Sequence, residues 1–286
     1  MKLAVAVCII PALFPGAMDK AMTLIYVFAS YLALGALAGT LAGLFGIGGG
    51  LIIVPVLIFS FGLQGISPEV AAHLAVGTSL ATIVFTSLSS IRSHHKHEAV
   101  RWDIFRPMAV GIVVGAVVGA WSASLLSGPA LELVIGVFVI AVAIKMLTGA
   151  NPKPGRVVPG QSGLVASGGI IGWASAIFGI GGGTLTVPYM TWCNVRMQHA
   201  VGTSAACGLP IAVAGALGNV WTGWDNPYLP EYSVGFIYLP ALLGIILTSV
   251  LFARVGAALA HRLDAAVLKR IFAVVLLVVG LRFLLS

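Results

Sequence analysis

Apolar residues run along this chain in long unbroken blocks separated by short polar punctuation. From Leu24 onward the blocks fall at about 24–45, 51–63, 70–91, 104–126 and 131–148, and again at about 162–178, 184–193, 199–221, 234–254 and 267–285. Several reach the roughly 20 residues that a helix needs to cross a bilayer. A continuous run, not a two-residue alternation, argues for helices over a barrel, because a helix satisfies its backbone polar groups within its own segment. The second block of each set is short for a crossing and follows a Gly-rich stretch directly. Ahead of the first block, residues 1–23 form an apolar segment behind Lys2 that ends Phe14-Pro15-Gly16-Ala17. This start is signal-like, or a short span, or precedes a true start at Met18 or Met22.

The five-block pattern occurs twice because the chain is duplicated. Phe45-Gly46-Ile47-Gly48-Gly49-Gly50 recurs as Phe178-Gly179-Ile180-Gly181-Gly182-Gly183, and Val54-Pro55 and Val187-Pro188 follow at the same spacing. The two copies lie 133 positions apart, 179 minus 46. Ala75-Val76-Gly77-Thr78-Ser79 likewise returns as Ala200-Val201-Gly202-Thr203-Ser204. The predicted organisation is a first transmembrane repeat over 24–150, a cytoplasmic linker over 151–161 and a second transmembrane repeat over 162–286.

Composition removes the soluble alternatives. Hydrophobic residues make up 59% of the chain and charged residues 8%, with a mean hydropathy of +1.09; a soluble domain carries about 25% charged residues. The net charge of +7 resides in short loops, where Lys and Arg set topology, so it does not point to nucleic acid. Arg92, Lys96, Arg101 and Arg106 put the loop after the third block of the first repeat inside. The equivalent loop of the second repeat, Trp224 to Glu231, has Asp225 and Glu231 and no basic residue, and reads as outside. Lys153, Arg156, Arg196, Arg254, Arg262, Lys269 and Arg270 mark inside loops, and residues 127–132, with Glu132 alone, an outside one. Equivalent loops on opposite faces predict two inverted repeats related by an axis in the membrane plane, an architecture common among secondary transporters. Cys8, Cys193 and Cys207 have no ligand-like spacing and read as packing residues.

Chemistry is expected at the repeated stretches. Four glycines in five residues cannot hold a helix interior, each costing about 1 kcal/mol relative to Ala, so Gly46, Gly48, Gly49 and Gly50, and Gly179, Gly181, Gly182 and Gly183, predict two helix breaks. The NH groups after each break, through Leu51 and Thr184, lack helical acceptors, carry the positive end of a helix dipole and favour an anion; close helix packing is the other use of such glycines. Thr78, Ser79, Thr203 and Ser204 offer hydroxyl donors inside spans, or alternatively hydrogen bonds between helices. His73 could titrate near neutrality as a proton-coupling group or sit at an interface. Asn219 is a weaker polar candidate. His94-His95-Lys96-His97 lies in the most basic loop, has only Glu98 as a nearby carboxylate and reads as a topology signal, with a metal site as the alternative. No nucleophile–base constellation is readable, and no cofactor or resident metal is expected.

On the duplicated Phe-Gly-Ile-Gly-Gly-Gly, the Val-Pro that follows and the Ala-Val-Gly-Thr-Ser pair, the chain resembles the sulfite exporter TauE/SafE family of membrane transporters over nearly all its length from about residue 24. The resemblance implies a multi-pass permease of the prokaryotic inner membrane for sulfite, sulfonates, thiosulfate or related small anions. The expectation is therefore an all-α polytopic membrane protein of about ten segments, some short or re-entrant, in two inverted repeats. Its partners are the lipid bilayer and a small anionic substrate, with either a coupling proton or ion or simple facilitation, and it works by alternating access around a site between the two breaks. An intramembrane metalloenzyme using the His94–His97 loop, or a non-transporting subunit, is the alternative.

Overall fold

The computed structural model describes residues 20–45, 50–96, 98–149, 155, 157–260 and 265–285. Within them lie ten helices: α1 (Lys20–Phe45), α2 (Gly50–Leu63), α3 (Pro68–Lys96), α4 (Trp102–Ser124), α5 (Gly128–Thr148), α6 (Gln161–Phe178), α7 (Gly183–Trp192), α8 (Met197–Gly223), α9 (Leu239–Ala260) and α10 (Ala265–Leu285). Helices α3, α4, α5 and α8 contain stretches long and apolar enough to cross a membrane, and shorter apolar helical stretches cover 27–40, 50–63, 239–253 and 272–285. The molecule is a helical, polytopic membrane protein.

Helix ends follow local chemistry. Ser127 caps α5 by accepting the Ala130 N–H, with Pro129 in the first turn, and Gly149 in the left-handed region closes it; these are the start and stop signals expected of a helix. The linker to α6 and residues 1–19 fall mostly outside the described residues.

Small residues bring the helices together. Cβ atoms added at Gly111, Gly115 and Gly119 of α4 would strike the backbone of Val165, Gly169 and Trp173 of α6, and those at Gly168 and Gly172 the backbone of Met108 and Ile112. The rising order on both helices makes the pair parallel. Helices α1 and α9 pack the same way, Gly35 on Ile245, Gly39 on Ser249 and Gly244 on Tyr31. In the interior α3 and α8 run antiparallel, with Gly77 beside Asn219, Leu80 beside Gly215 and Ser87 beside Gly208. Helices α5 and α10 cross at Gly136 and Gly280. Without a hydrophobic force between helices in lipid, backbone approach at small residues supplies the van der Waals contact that holds them. The outward faces stay apolar: Val110, Val114, Val117 and Trp121 of α4, and Leu243, Leu247 and Leu251 of α9, are all exposed.

Helix ends fall near the sequence reading except that α9 runs past 254 to Ala260, and two further differences stand out. The block at 234–254 begins with extended chain: Ser233–Val234 (β1) pairs antiparallel with Ile237–Tyr238 (β2), and α9 starts only at Leu239. Phe236, Ile237 and Tyr238 are each at most 8% exposed. Their apolarity serves burial between helices, which hydropathy alone does not separate from a span. Helix α3 also runs past 91 to Lys96, so His94 and His95 stand on its last turn and not in a loop. His95 meets Trp102 edge-on, and His97 lies outside the described residues. No group of three or more His, Cys, Asp or Glu side chains that could hold a metal occurs among the described residues.

Candidate functional site

The second break is built from a helix stop and an uncapped start. Gly179 takes a φ of +63°, a conformation that costs glycine little, and the N–H of Ile180 donates to Ser175 O at 3.0 Å, closing α6 in the manner of a left-handed C-cap. Helix α7 then begins with no side-chain cap. The Thr186 N–H, donating to Gly182 O at 2.8 Å, is the first to bond back; those of Gly183, Thr184 and Leu185 have no helical acceptor. Pro188 lacks an N–H, which leaves the Thr184 carbonyl without its helical donor; Pro55 does the same to Leu51 in α2.

The two breaks touch. A Cβ at Gly50, the first residue of α2, would lie 2.6 Å from Gly179 O and 2.9 Å from Ile180 Cα. Gly46, Gly48 and Gly49 lie outside the described residues. Helices α3 and α8 flank the meeting point. Ser79 Oγ donates to Gly179 O at 2.8 Å, Val76 abuts Gly179, and the Ile83 side chain reaches both Gly50 and Gly181. From α8, Ser204 O lies 2.5 Å from a Cβ at Gly182, with Gly208 N at 3.1 Å. The sequence-predicted glycines of the second break, Gly50, Ser79 and Ser204 are thus brought together.

Thr78 and Thr203 face elsewhere. Thr78 Oγ1 accepts the Tyr238 N–H at 3.0 Å, and Thr203 Oγ1 accepts the Arg101 N–H at 2.9 Å. Gly77 makes room for Phe236 O, and Gly202 for Ala99 O. Each Gly-Thr pair therefore seats the extended connector that precedes the fourth helix of the opposite half. His73 belongs to this arrangement: Nε2 lies 3.1 Å from Ala123 O, and its ring stacks on Phe236 with centroids 4.9 Å apart. Nδ1 is buried with no hydrogen-bond partner. His199, which sequence reading passed over, holds the other connector through Nδ1 to Ala99 O at 3.3 Å. Asn219 donates through Nδ2 to Gly215 O and takes the Phe236 N–H on its backbone carbonyl.

Residues that flank the second break carry unpartnered hydroxyls. Ser175, Thr184, Thr186 and Ser204 each have a buried side-chain oxygen with no hydrogen bond, and Ser175, Thr186 and Ser204 are at most 1% exposed. A buried polar group left unpaired costs about 1–3 kcal/mol. Hydroxyls in helices usually bond back to the preceding turn, as Thr82, Thr191 and Ser122 do here; these four do not. Sequence reading missed Ser175 and Thr186, whose signal was their place directly flanking the break. Among the described residues no acidic or basic side chain other than His73 is buried, so the site offers dipoles and hydroxyls, not ions.

Residues 31–283 match the sequence pattern of the sulfite exporter TauE/SafE family. The chain belongs to the TauE/SafE family. Among its curated relatives, a probable membrane transporter protein of Haemophilus influenzae is 38% identical over 258 residues, covering 89% of this chain and 97% of the relative. One from Methanocaldococcus jannaschii is 28% identical, covering 88% and 93%. YunE of Bacillus subtilis, also named a probable membrane transporter protein, is 26% identical, covering 88% and 96%. No solved structure matches the chain. A TauE/SafE protein is a membrane transporter and not an enzyme, which sets the metalloenzyme alternative aside.

Proposed function

We propose that this chain is a secondary transporter for small oxyanions, sulfite or sulfonates among them, that works by alternating access around the meeting point of the two Gly-rich breaks. The observation that carries this reading is the contact of Gly50 with Gly179 and Ile180 beside four buried, unpartnered hydroxyls. Uncapped N–H groups at a helix start attract negative charge, and broken backbone at membrane depth persists where protein or a water-filled site covers it. The family name supports sulfur oxyanions as the class, and an inner membrane of a prokaryote suits the organisms of the relatives.

Two inverted repeats, about 24–150 and 162–286, fit the packing. Helices α3 and α8 carry the same pentapeptide and lie antiparallel, and α4–α6 and α1–α9 are equivalent parallel pairs. The loop charges agree. Helices α1 with α2, and α6 with α7, then return the chain to the face it left, as broken re-entrant units do in such folds. The Thr78–Tyr238 and Thr203–Arg101 bonds would act at the outer and inner sides of the site, one released for each direction of access. Energy would come from a gradient of the substrate or of a coupled ion.

Proteoliposomes loaded with purified protein are expected to take up radiolabelled sulfite, sulfoacetate or taurine. Gly181→Leu, whose Cβ would meet only the Ile83 side chain at 3.5 Å, is expected to abolish uptake while the protein still inserts and elutes as one species. Absence of flux for every anion with folded wild-type protein overturns the reading.

A further inference from the structure

The two breaks share a sequence core but not the chemistry around it. At the second, Ser175, Thr184 and Thr186 flank the glycines; the first has Ala42, Leu51 and Ile53 at the matching positions. Leu51 and Ile53 are each 2% exposed. The helices that flank the site differ in the same sense. By the Ala-Val-Gly-Thr-Ser register, Ile83 of α3 matches Gly208 of α8. Ile83 fills the space against Gly50 and Gly181, whereas a Cβ at Gly208 would meet only Ser87 Oγ at 3.0 Å and Gly182 N at 3.5 Å. The serines of the pentapeptides also part company: Ser79 Oγ is bonded to Gly179 O, and Ser204 Oγ has no partner.

We propose, building on the transport reading above, that the site is polar on one side and apolar on the other, and binds an organic oxyanion in a single orientation. The oxyanion is held by the second break, through the N–H groups at the start of α7 and the hydroxyls of Ser175, Thr184, Thr186 and Ser204. The apolar end of the ligand lies against Ile83, with Leu51 and Ile53 behind it. Ile83 limits how long that end can be.

The test is ligand-dependent thermal stabilisation of the purified protein by sulfite and by methane-, ethane- and butanesulfonate. Wild type is expected to bind a short alkanesulfonate more tightly than sulfite. Thr186→Val and Ser204→Ala should each weaken binding of every anion, about tenfold where one hydrogen bond to charge is lost, and Thr186→Ser should restore it. Ile83→Ala should move the preference toward butanesulfonate and leave sulfite within about twofold. A structural role for Ile83 would lower the affinity for all four alike. Leu51→Thr should not create a stronger anion site. If anions bind but the threonine and serine variants match wild type, or Ile83→Ala leaves the chain-length order unchanged, the one-sided site is wrong while the transport reading stands. If wild type binds and transports no anion, both fall.

Discussion

Thr78 and Ser79 are neighbours with different tasks, and the same is true of Thr203 and Ser204. Each threonine oxygen takes a backbone N–H from a connector of the other half, so its loss leaves a buried amide unpaired at Tyr238 and a part-buried one at Arg101. Thr78→Val and Thr203→Val are each expected to lower stability by about 1–3 kcal/mol, read as a fall in the unfolding temperature in detergent, and Thr→Ser should recover most of it. Anion affinity should hardly move, because neither hydroxyl lies at the break. His73 joins the same contact, tying Ala123 to Phe236. His73→Gln can still donate to Ala123, and uptake is expected to keep its dependence on pH. A flattened profile in that variant would instead assign proton coupling to His73.

At the scale of the element, glycine has two separable uses, and some positions have neither. Gly179 supplies a left-handed φ that ends α6. Gly115 lets α4 approach the carbonyl of Gly169 on α6, so Gly115→Leu must push the two helices apart and is expected to give aggregated or degraded protein on size exclusion. Gly62 of α2 has nothing within 4 Å of an added Cβ, and Gly62→Ala should raise stability by up to about 1 kcal/mol through helix propensity. Sequence alone cannot sort these uses, because it does not say which helix lies alongside. It did carry the helices themselves, since long apolar blocks have few other solutions in lipid. The pairing of breaks was legible too, through an identical six-residue core in both halves. The Ser233–Tyr238 hairpin was not legible: Val234, Phe236, Ile237 and Tyr238 extend an apolar block, and only the fold reveals that Phe236, Ile237 and Tyr238 are buried against protein while Val234 stays exposed. Ser175 and Thr186 stayed hidden because a helical hydroxyl is ordinarily absorbed by its own backbone.

For the whole molecule the deciding question is whether the halves are inverted, because only inversion lets the two breaks approach one site from opposite faces. The connectors before α4 and α9 are the sensitive probes. They occupy equivalent places in the two halves, each seated on the Gly-Thr of the other, yet Arg92, Arg101 and Arg106 flank the first and Asp225 and Glu231 the second. Glu98 and Tyr228 are exposed positions on them. In a chain freed of its own cysteines, Glu98→Cys is expected to react with a membrane-impermeant thiol reagent only in inside-out vesicles, and Tyr228→Cys only in right-side-out vesicles. A repeat related by an axis along the membrane normal would put both on one face, and labelling from the same side would remove the inverted architecture. Val157→Cys, in the linker and 87% exposed, should label with Glu98→Cys, because α4 and α5 cross out and back between them. That third position guards against a different failure: if Glu98 and Tyr228 label oppositely but Val157 labels with Tyr228, the halves are inverted and the crossing count of the first is wrong.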